Sequence, residues 1–228
     1  MEAIILAGGL GTRLRQVVPN LPKAMAHVAG KPFLEILLHS LSRKGFARVV
    51  LSLGYMANKI SEYFGESFAG MTLVYVVEES PLGTGGAVRL ALSACRQDHV
   101  YVLNGDTFLD LEVNLIEQLW RENGYPIIVG REVSDAARYG CLTVEDNCVT
   151  NFSEKGVVGP GLINGGCYVL DRECLDRFPR NTAFSLETDF LVDLVGKTKV
   201  NIFITKGLFI DIGIPSDYTL AQKVLADF

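Results

Sequence analysis

The stretch Met1–Lys23, MEAIILAGGLGTRLRQVVPNLPK, decides the fold class of this chain. Its apolar run Ala3–Ala7 is too short for a helix core and is bounded by glycines, so it predicts a buried parallel strand. Glycines directly after a strand let backbone N–H groups close on an anion without a Cβ in the way; here they are Gly8, Gly9 and Gly11. The pattern predicts either a phosphate-binding loop or an ordinary tight turn of an α/β protein.

Two cations in the same stretch favour the phosphate-binding interpretation. Arg13 offers a planar fork of donors that suits phosphate, and Lys23 adds a second positive charge. The sequence does not match either common phosphate loop. No Gly-x-x-x-x-Gly-Lys-Ser/Thr run occurs, and Leu14 stands where a dinucleotide fingerprint needs its third glycine. We therefore expect a polyphosphate site of another kind.

The composition excludes several functional classes. The 228 residues fit one α/β domain, and 49% hydrophobic with 21% charged residues argues against disorder. The net charge of −5, without a basic run, argues against a nucleic-acid partner. No apolar stretch approaches the roughly 18 residues of a membrane span, and the N-terminus lacks a basic region followed by a long apolar segment, so we expect no membrane partner and no export signal. Five cysteines without a CxxC pair, and three histidines without metal-ligand spacing, favour a reduced, cytoplasmic protein.

Apolar periodicity predicts strands that alternate with helices in the first half of the chain. Helices are expected at Pro32–Lys44, Met56–Phe64 and Ala87–Ala94, and strands at Arg48–Leu53, Leu73–Val77 and His99–Leu103. This spacing predicts a doubly wound, mostly parallel α/β sheet. Because ligands of such sheets bind beyond the carboxyl ends of the strands, three segments are expected to meet there: Gly8–Arg13, Glu79–Gly86 and Asn104–Asp106.

The second half has shorter strands. A helix at Leu115–Glu122 is followed by strands expected at Ile127–Gly130, Gly140–Val144, Val149–Ser153, Cys167–Leu170 and Asn201–Ile204, and by a last helix at Ser216–Ala226 with Ser216 near its cap. Asn164, Gly165 and Gly166 are predicted to form a tight turn before a strand. We expect one domain, residues 1–228, in which a smaller, partly antiparallel half (about 111–228) forms a lid or wall over a site in the first half (about 1–110).

Two acids are candidates for a metal site. Asp106 follows an apolar strand directly, and Asp211 is flanked by apolar residues on both sides. Mg²⁺ takes oxygen ligands, and a buried carboxylate must be paired or bind a metal. For Asp106, a cap or turn role is the alternative. One acid from each half could jointly hold one Mg²⁺ in a cleft between the halves.

Three further residues are weaker candidates when taken alone. Lys155 is either a third cation of the site or a surface lysine beside Gly156. Asn164 could offer its amide to a polar ligand. Glu187 could accept hydrogen bonds from vicinal hydroxyls, or it could only begin a helix.

Taken in order, these motifs resemble those of the sugar-1-phosphate nucleotidyltransferases. The resemblance runs from residue 3 to about residue 220. The motifs are Leu6–Leu14 with Pro22-Lys23, Pro81–Ala87, Asn104-Gly105-Asp106, Arg138-Tyr139-Gly140, Glu154-Lys155, Asn164–Tyr168 and Phe209–Pro215. The family implies a Rossmann-like α/β/α fold and the conversion of an NTP and a sugar 1-phosphate into an NDP-sugar and pyrophosphate, with Mg²⁺ as cofactor.

The resemblance also implies a role for each matched residue. The catalytic residues would be Arg13 on the β/γ-phosphates, Lys23 on the α-phosphate, Lys155 on the sugar phosphate, and Asp106 and Asp211 on Mg²⁺. The first half would bind the nucleotide through Leu6, Ala7, Gly8, Gly9, Gly11, Thr12, Arg13, Lys23, Asn104 and Gly105, with Glu79, Gly83 and Thr84 near the base. The second half would bind the sugar phosphate through Gly140, Glu154, Lys155, Asn164, Gly166 and Glu187.

Within the family, Pro81–Ala87 is more similar to the guanylyl-transferring branch, so GTP is the expected nucleotide. The stretches Leu162–Gly166 and Phe209–Pro215 favour D-glycero-α-D-manno-heptose 1-phosphate as the sugar. The alternatives are a uridylyltransferase for N-acetylmuramate or hexose 1-phosphate and, in a different class, a non-catalytic nucleotide-binding regulatory relative. Ala24 and Gly156 replace the prolines usual after the two site lysines, which relaxes both loops. A homo-oligomer is left open.

Overall fold

The structure is a computed structural model that describes the chain except for residues 10, 12, 13, 15–17, 20, 154, 155 and 157. The strands are β1 (Glu2–Leu6), β2 (His27–Val28), β3 (Lys31–Pro32), β4 (Arg48–Leu53), β5 (Ser67–Phe68), β6 (Met71–Val77), β7 (His99–Asn104), β8 (Thr107–Leu109), β9 (Ile127–Val133), β10 (Cys141–Glu145), β11 (Cys148–Ser153), β12 (Gly161–Asp171), β13 (Asn201–Thr205) and β14 (Phe209–Asp211). The α-helices are α1 (Phe33–Arg43), α2 (Ala57–Phe64), α3 (Gly83–Leu92), α4 (Val113–Asn123), α5 (Val192–Val195) and α6 (Pro215–Val224). A 3₁₀ turn lies at Lys23–Met25 and a π-helical turn at Leu186–Leu191.

One large sheet runs through both halves of the chain. Its strand order is β10-β11-β13-β9-β12-β7-β1-β4-β6-β5. β1 pairs in parallel with β4 and β7, β4 with β6, and β9 with β13, whereas β12 runs antiparallel between β7 and β9. The α/β fold class is confirmed. The second-half strands continue the main sheet through β12.

Apolar side chains on both faces of the central strands explain the layered fold. Ile4 and Ile5 in β1 are both fully buried but belong to different core clusters, because neighbouring residues of a strand point to opposite faces. Leu38 of α1 packs in the cluster of Ile5, and Val88 of α3 packs in the cluster of Ile4. Helices therefore cover both faces of the sheet, which is why its central strands read as continuous apolar runs.

The structure corrects the prediction of a tight turn at Asn164, Gly165 and Gly166. These residues lie inside the long strand β12, where the pairing with β9 shifts register between Asn164 and Cys167. Gly166 has φ of +72°, in the left-handed region. A bulge needs the same residue types as a turn, so the sequence alone gives the wrong prediction.

Two helix starts also differ from the prediction. Helix α3 begins at Gly83 and not at Ala87, so the glycine-rich segment forms its first turn. Helix α6 has Ile214 as its N-cap and Pro215 as its first residue, and Ser216 does not cap it. Proline suits the first helical position because the N–H that it lacks would have no partner there. Over the described part of the chain, none of the helices has the length and apolar character that crossing a membrane requires.

Candidate active site

A cleft of about 600 Å³ opens at the carboxyl ends of β1, β4, β6 and β7. The three segments that were expected to meet at this edge all contribute to its walls. The candidate residues that line the cleft are Leu6, Ala7, Gly8, Gly9, Lys23, Glu79, Gly83, Thr84, Asn104, Gly105 and Asp106. The sequence therefore predicted that these segments meet at one edge of the sheet, where the structure has a cleft.

Two of the glycines bring strand ends close together beneath the cleft. A Cβ on Gly105 would lie 2.6 Å from Leu6 O, and the N–H of Gly105 donates a hydrogen bond to the same oxygen at 2.9 Å. A Cβ on Gly8 would lie 3.1 Å from Gly54 N. A side chain at either position would force the strand ends apart, so these glycines keep the backbone edge compact and accessible to a ligand.

Four candidate residues, Thr12, Arg13, Glu154 and Lys155, lie outside the described residues. Gly11 is described and has φ of +59°. A Cβ at this glycine would lie 2.9 Å from Cβ of Lys23, so Gly11 lies directly against this lysine.

Lys23 lies beside both acids that were predicted to bind Mg²⁺. Its Nζ is 2.5 Å from Oδ2 of Asp106. A Cβ built on Gly213 would lie 2.8 Å from Oδ1 of Asp211 and 3.3 Å from Nζ of Lys23, which places the second acid next to the same ammonium group. The short antiparallel pair β8–β14 brings the acids together, because Asp211 pairs with Thr107, the residue after Asp106.

The charges of this cluster suit a divalent cation. Burial raises the pKa of Asp211, and the neighbouring Asp106 carboxylate raises that pKa further, whereas Lys23 lowers it. Two carboxylates beside one ammonium group leave a negative charge that a hard cation would balance with oxygen ligands. Among the described residues, no group of three or more histidine, cysteine or acidic side chains could hold a metal ion. Other oxygen ligands, such as phosphates, would have to complete a shell begun by these two acids.

The described sugar-binding candidates form one hydrogen-bonded group. The N–H of Asn164 donates to Gly140 O at 3.1 Å, its Oδ1 accepts the N–H of Gly166 at 3.1 Å, and its Nδ2 donates to Oε1 of Glu187 at 3.2 Å. A Cβ on Gly166 would lie 2.5 Å from Nδ2 of Asn104, which lines the cleft. The group is therefore continuous with the wall of the cleft.

Sequence reasoning missed Tyr168, whose hydroxyl belongs to this hydrogen-bonded group. Its side chain is fully buried; its hydroxyl accepts a hydrogen bond from Nδ2 of Asn164 at 2.8 Å and donates one to Oε1 of Glu187 at 3.2 Å. Burial raises the pKa of this tyrosine well above its ordinary value, so the hydroxyl keeps its proton. Tyr168 stands in a matched motif, but its partner Glu187 lies in the π-helical turn, and no local pattern predicts that contact.

Glu78 was missed as well. Its Oε2 accepts the N–H of Leu82 at 2.9 Å, and its Oε1 would lie 2.7 Å from a Cβ on Gly54. Its carboxylate therefore holds the loop between β6 and α3 against the end of β4. The neighbouring Glu79 is exposed at the wall of the cleft.

Comparison with known proteins gives one consistent result. The Nucleotidyl transferase family matches residues 2–227 of the chain. The chain is 39% identical, over its full length and that of the relative, to D-glycero-alpha-D-manno-heptose 1-phosphate guanylyltransferase of Aneurinibacillus thermoaerophilus. It is 40% identical to the Campylobacter jejuni protein of the same name, over 96% of this chain and 97% of that one. The crystal structure of HddC from Yersinia pseudotuberculosis complexed with GMP-PN matches with a TM-score of 0.86 and 38% identity, and the match covers 97% of this chain and 98% of that one. The resemblance that was based on the motifs is confirmed.

Proposed function

The chain belongs to the nucleotidyl transferase family, and we propose that it transfers the guanylyl group of GTP to D-glycero-α-D-manno-heptose 1-phosphate, giving GDP-heptose and pyrophosphate. One observation carries the proposal: the contact between Asn104 and Gly166 joins the wall of the cleft to the hydrogen-bonded group around Glu187, which supports a single site for both substrates. Two substrates can therefore meet beside the Lys23–Asp106 pair. The names of the relatives support the choice of base and sugar.

In the proposed reaction, a phosphate oxygen of the sugar 1-phosphate forms a bond to the α-phosphorus of GTP. The bond from this phosphorus to the bridging oxygen breaks, and its electron pair leaves with pyrophosphate. Such a step needs little covalent chemistry from the protein, so positioning and stabilisation of charge carry the rate. Lys23, in the 3₁₀ turn beside the cleft, would stabilise charge on the α-phosphate.

Asp106 and Asp211 would hold Mg²⁺, which when bound neutralises phosphate charge. Their position beside Lys23, together with the raised pKa of Asp211, supports this assignment. Arg13 and Lys155 would hold the β/γ-phosphates and the sugar phosphate.

Glu79 is the proposed reader of guanine. The guanine edge presents an N1–H and a 2-amino group, and an exposed carboxylate at the cleft wall can accept hydrogen bonds from both. Glu78 already accepts the N–H of Leu82, which makes it the less suitable of the two acids. A uracil base lacks the 2-amino donor, so this assignment favours GTP over UTP.

Glu187 is the proposed contact for sugar hydroxyls. Both N–H groups on Nδ2 of Asn164 donate hydrogen bonds within the protein, one to the Tyr168 hydroxyl and one to Oε1 of Glu187. The second carboxylate oxygen, Oε2, is then the natural acceptor for vicinal hydroxyls. The five cysteines form no CxxC pair, which supports a reduced, cytoplasmic location.

The test is release of pyrophosphate with Mg²⁺, in which GTP, ATP, CTP, UTP and dTTP are crossed with the 1-phosphates of heptose, mannose, glucose and N-acetylmuramate. Turnover confined to GTP and the heptose phosphate is expected. Turnover with UTP would replace the guanylyl assignment with the uridylyl alternative and keep the mechanism. Binding of an NTP without turnover of any pair would instead support the non-catalytic relative.

A further inference from the structure

The glycine-rich first turn of α3 packs directly against the chain that leads to Glu187. A Cβ on Gly83 would lie 2.6 Å from Phe184 O, and one on Gly85 would lie 2.2 Å from the Phe184 ring. A Cβ on Gly86 would lie 2.5 Å from Thr182 O. Contacts this short leave no room for a side chain, so these glycines allow the second-half chain to lie against the wall of the nucleotide cleft.

Three hydrogen bonds join the two segments. The N–H of Phe184 donates to Leu82 O at 3.0 Å, and the N–H of Gly85 donates to Phe184 O at 2.9 Å. The N–H of Leu186 donates to Oγ1 of Thr84 at 2.9 Å. The third bond alone uses a side chain, and that side chain lines the cleft.

Leu186 is directly followed by Glu187, whose position depends on this contact. Leu186 is buried and fixes the start of the π-helical turn. The carboxylate of Glu187 is oriented at its other end by Tyr168 and Asn164. The backbone at Glu187 is thus held by the contact of Leu186 with Thr84 at the nucleotide cleft, and the carboxylate of Glu187 is held by side chains of β12.

We propose that Thr84 is a positioning residue that couples occupancy of the nucleotide cleft to the placement of Glu187 toward the sugar phosphate; the inference rests on the function proposed above. An exposed threonine has several rotamers, and Oγ1 reaches the N–H of Leu186 in one of them. A nucleotide bound beside Thr84 restricts the other rotamers of this side chain. The hydrogen bond to Leu186 is then kept, and the π-helical turn is held in place. By linkage, bound sugar phosphate then strengthens binding of the nucleotide to the same degree.

The kinetic test compares Thr84→Val, which keeps the shape and loses the acceptor, with Thr84→Ser, which keeps the acceptor. In T84V the KM of the sugar 1-phosphate at saturating GTP should rise roughly tenfold, as expected for a lost hydrogen bond of about 1.4 kcal/mol, while the Kd of GTP measured without sugar phosphate and the Tm stay close to wild type. T84S should restore the KM of the sugar phosphate. Thr72→Val, at an exposed position of β6, is the matched control. An unchanged KM for the sugar phosphate, or an equal rise in the Kd of GTP measured without sugar phosphate, would overturn the proposal.

A second measurement does not depend on turnover. Hydrogen exchange at the Leu186 amide should slow when GTP is added to wild type and to T84S, and it should be fast and insensitive to GTP in T84V. Slowing of the same size in T84V would contradict the coupling. Loss of turnover with every substrate pair would refute the proposed function, whereas this exchange experiment tests the coupling by itself, so the two failures are distinguishable. If T84V does not fold, Thr84→Ala serves, since it adds no atoms.

Discussion

Replacing Gly85 by alanine tests whether the glycines of α3 are needed for packing. Alanine in a helix interior is intrinsically favoured over glycine by about 1 kcal/mol, so helix propensity alone predicts a more stable protein. Against this, the new Cβ would lie 2.2 and 2.3 Å from two ring atoms of Phe184 and 3.0 Å from the backbone nitrogen of Leu186. The two effects have opposite signs, and their relative size decides the outcome.

Moving the Phe184 ring away from this Cβ would disturb its packing and cost free energy. It stacks on Phe178 with ring centroids 4.1 Å apart and an angle of 6° between the planes. Overpacking of this kind costs about 1–3 kcal/mol, and a disturbed aromatic pair costs about 0.5–1.5 kcal/mol more. After the gain in propensity is subtracted, we expect Gly85→Ala to lower the free energy of unfolding by about 1–3 kcal/mol.

Thermal unfolding measures this effect. For a chain of this size a loss of that magnitude lowers Tm by roughly 2–12 °C. Gly196→Ala is the matched control, because its Cβ would meet nothing closer than Asp193 O at 3.6 Å, and it should leave Tm nearly unchanged. A Gly85→Ala protein with a Tm equal to or above that of wild type would refute the packing argument.

Three further predictions test separate parts of the account. Asp106→Asn, which removes a carboxylate from the proposed metal site, should lower kcat by about 10²–10³ in steady-state assays, and near wild-type turnover at limiting Mg²⁺ would exclude Asp106 as a ligand. Glu79→Gln should lower kcat/KM for GTP by roughly 10–100-fold and affect ITP, which lacks the 2-amino group, less; equal losses for both nucleotides, or a similar loss in the surface control Glu62→Gln, would remove Glu79 from base recognition. Burial raises the pKa of Glu112, but hydrogen bonds, including one from Oγ1 of Thr205 at 2.5 Å, lower it overall from its ordinary value of 4.5. The stabilisation that these hydrogen bonds give to the folded protein is therefore present above pH 4.5 and is lost as the pH falls through the lowered pKa. Glu112→Gln should thus lower Tm by about 2–4 °C at pH 7 and by less near pH 3. An equal loss of Tm at both pH values would contradict this.

The first-half strands could be predicted from the sequence because each is an apolar run bounded by turn residues. Arg48–Leu53 was predicted with the bounds that the structure shows. Burial on both faces of a parallel sheet leaves this strong local signal. Since parallel strands end at one edge, the position of the cleft followed from the strands alone.

The sequence could predict that Asp106 and Asp211, one from each half of the chain, lie together in a cleft. It could not predict the geometry that brings them together. The strands that bring the acids together, β8 and β14, have three residues each. Strands this short carry almost no periodicity. Their pairing depends on the packing of the whole chain, which no local pattern encodes.

The glycines of Gly83–Gly86 show a different limit of sequence reasoning. A glycine-rich segment at a strand end predicts a loop close to a ligand, yet here it forms a helical turn that packs against Phe184. In both cases glycine is needed because another group comes close to the backbone. The sequence therefore indicates that another group comes close to the backbone. It does not indicate whether that group is a ligand or another part of the chain.

The most direct test of the proposed function is a competition in one reaction mixture. Equal concentrations of GTP, ATP, CTP, UTP and dTTP are incubated with Mg²⁺ and D-glycero-α-D-manno-heptose 1-phosphate, and the nucleotide sugars are identified by mass spectrometry. Because the product ratio equals the ratio of kcat/KM values, it reports selectivity in a single measurement. The account predicts GDP-heptose as the dominant product. A dominant UDP-heptose, or no nucleotide sugar at all, would contradict it.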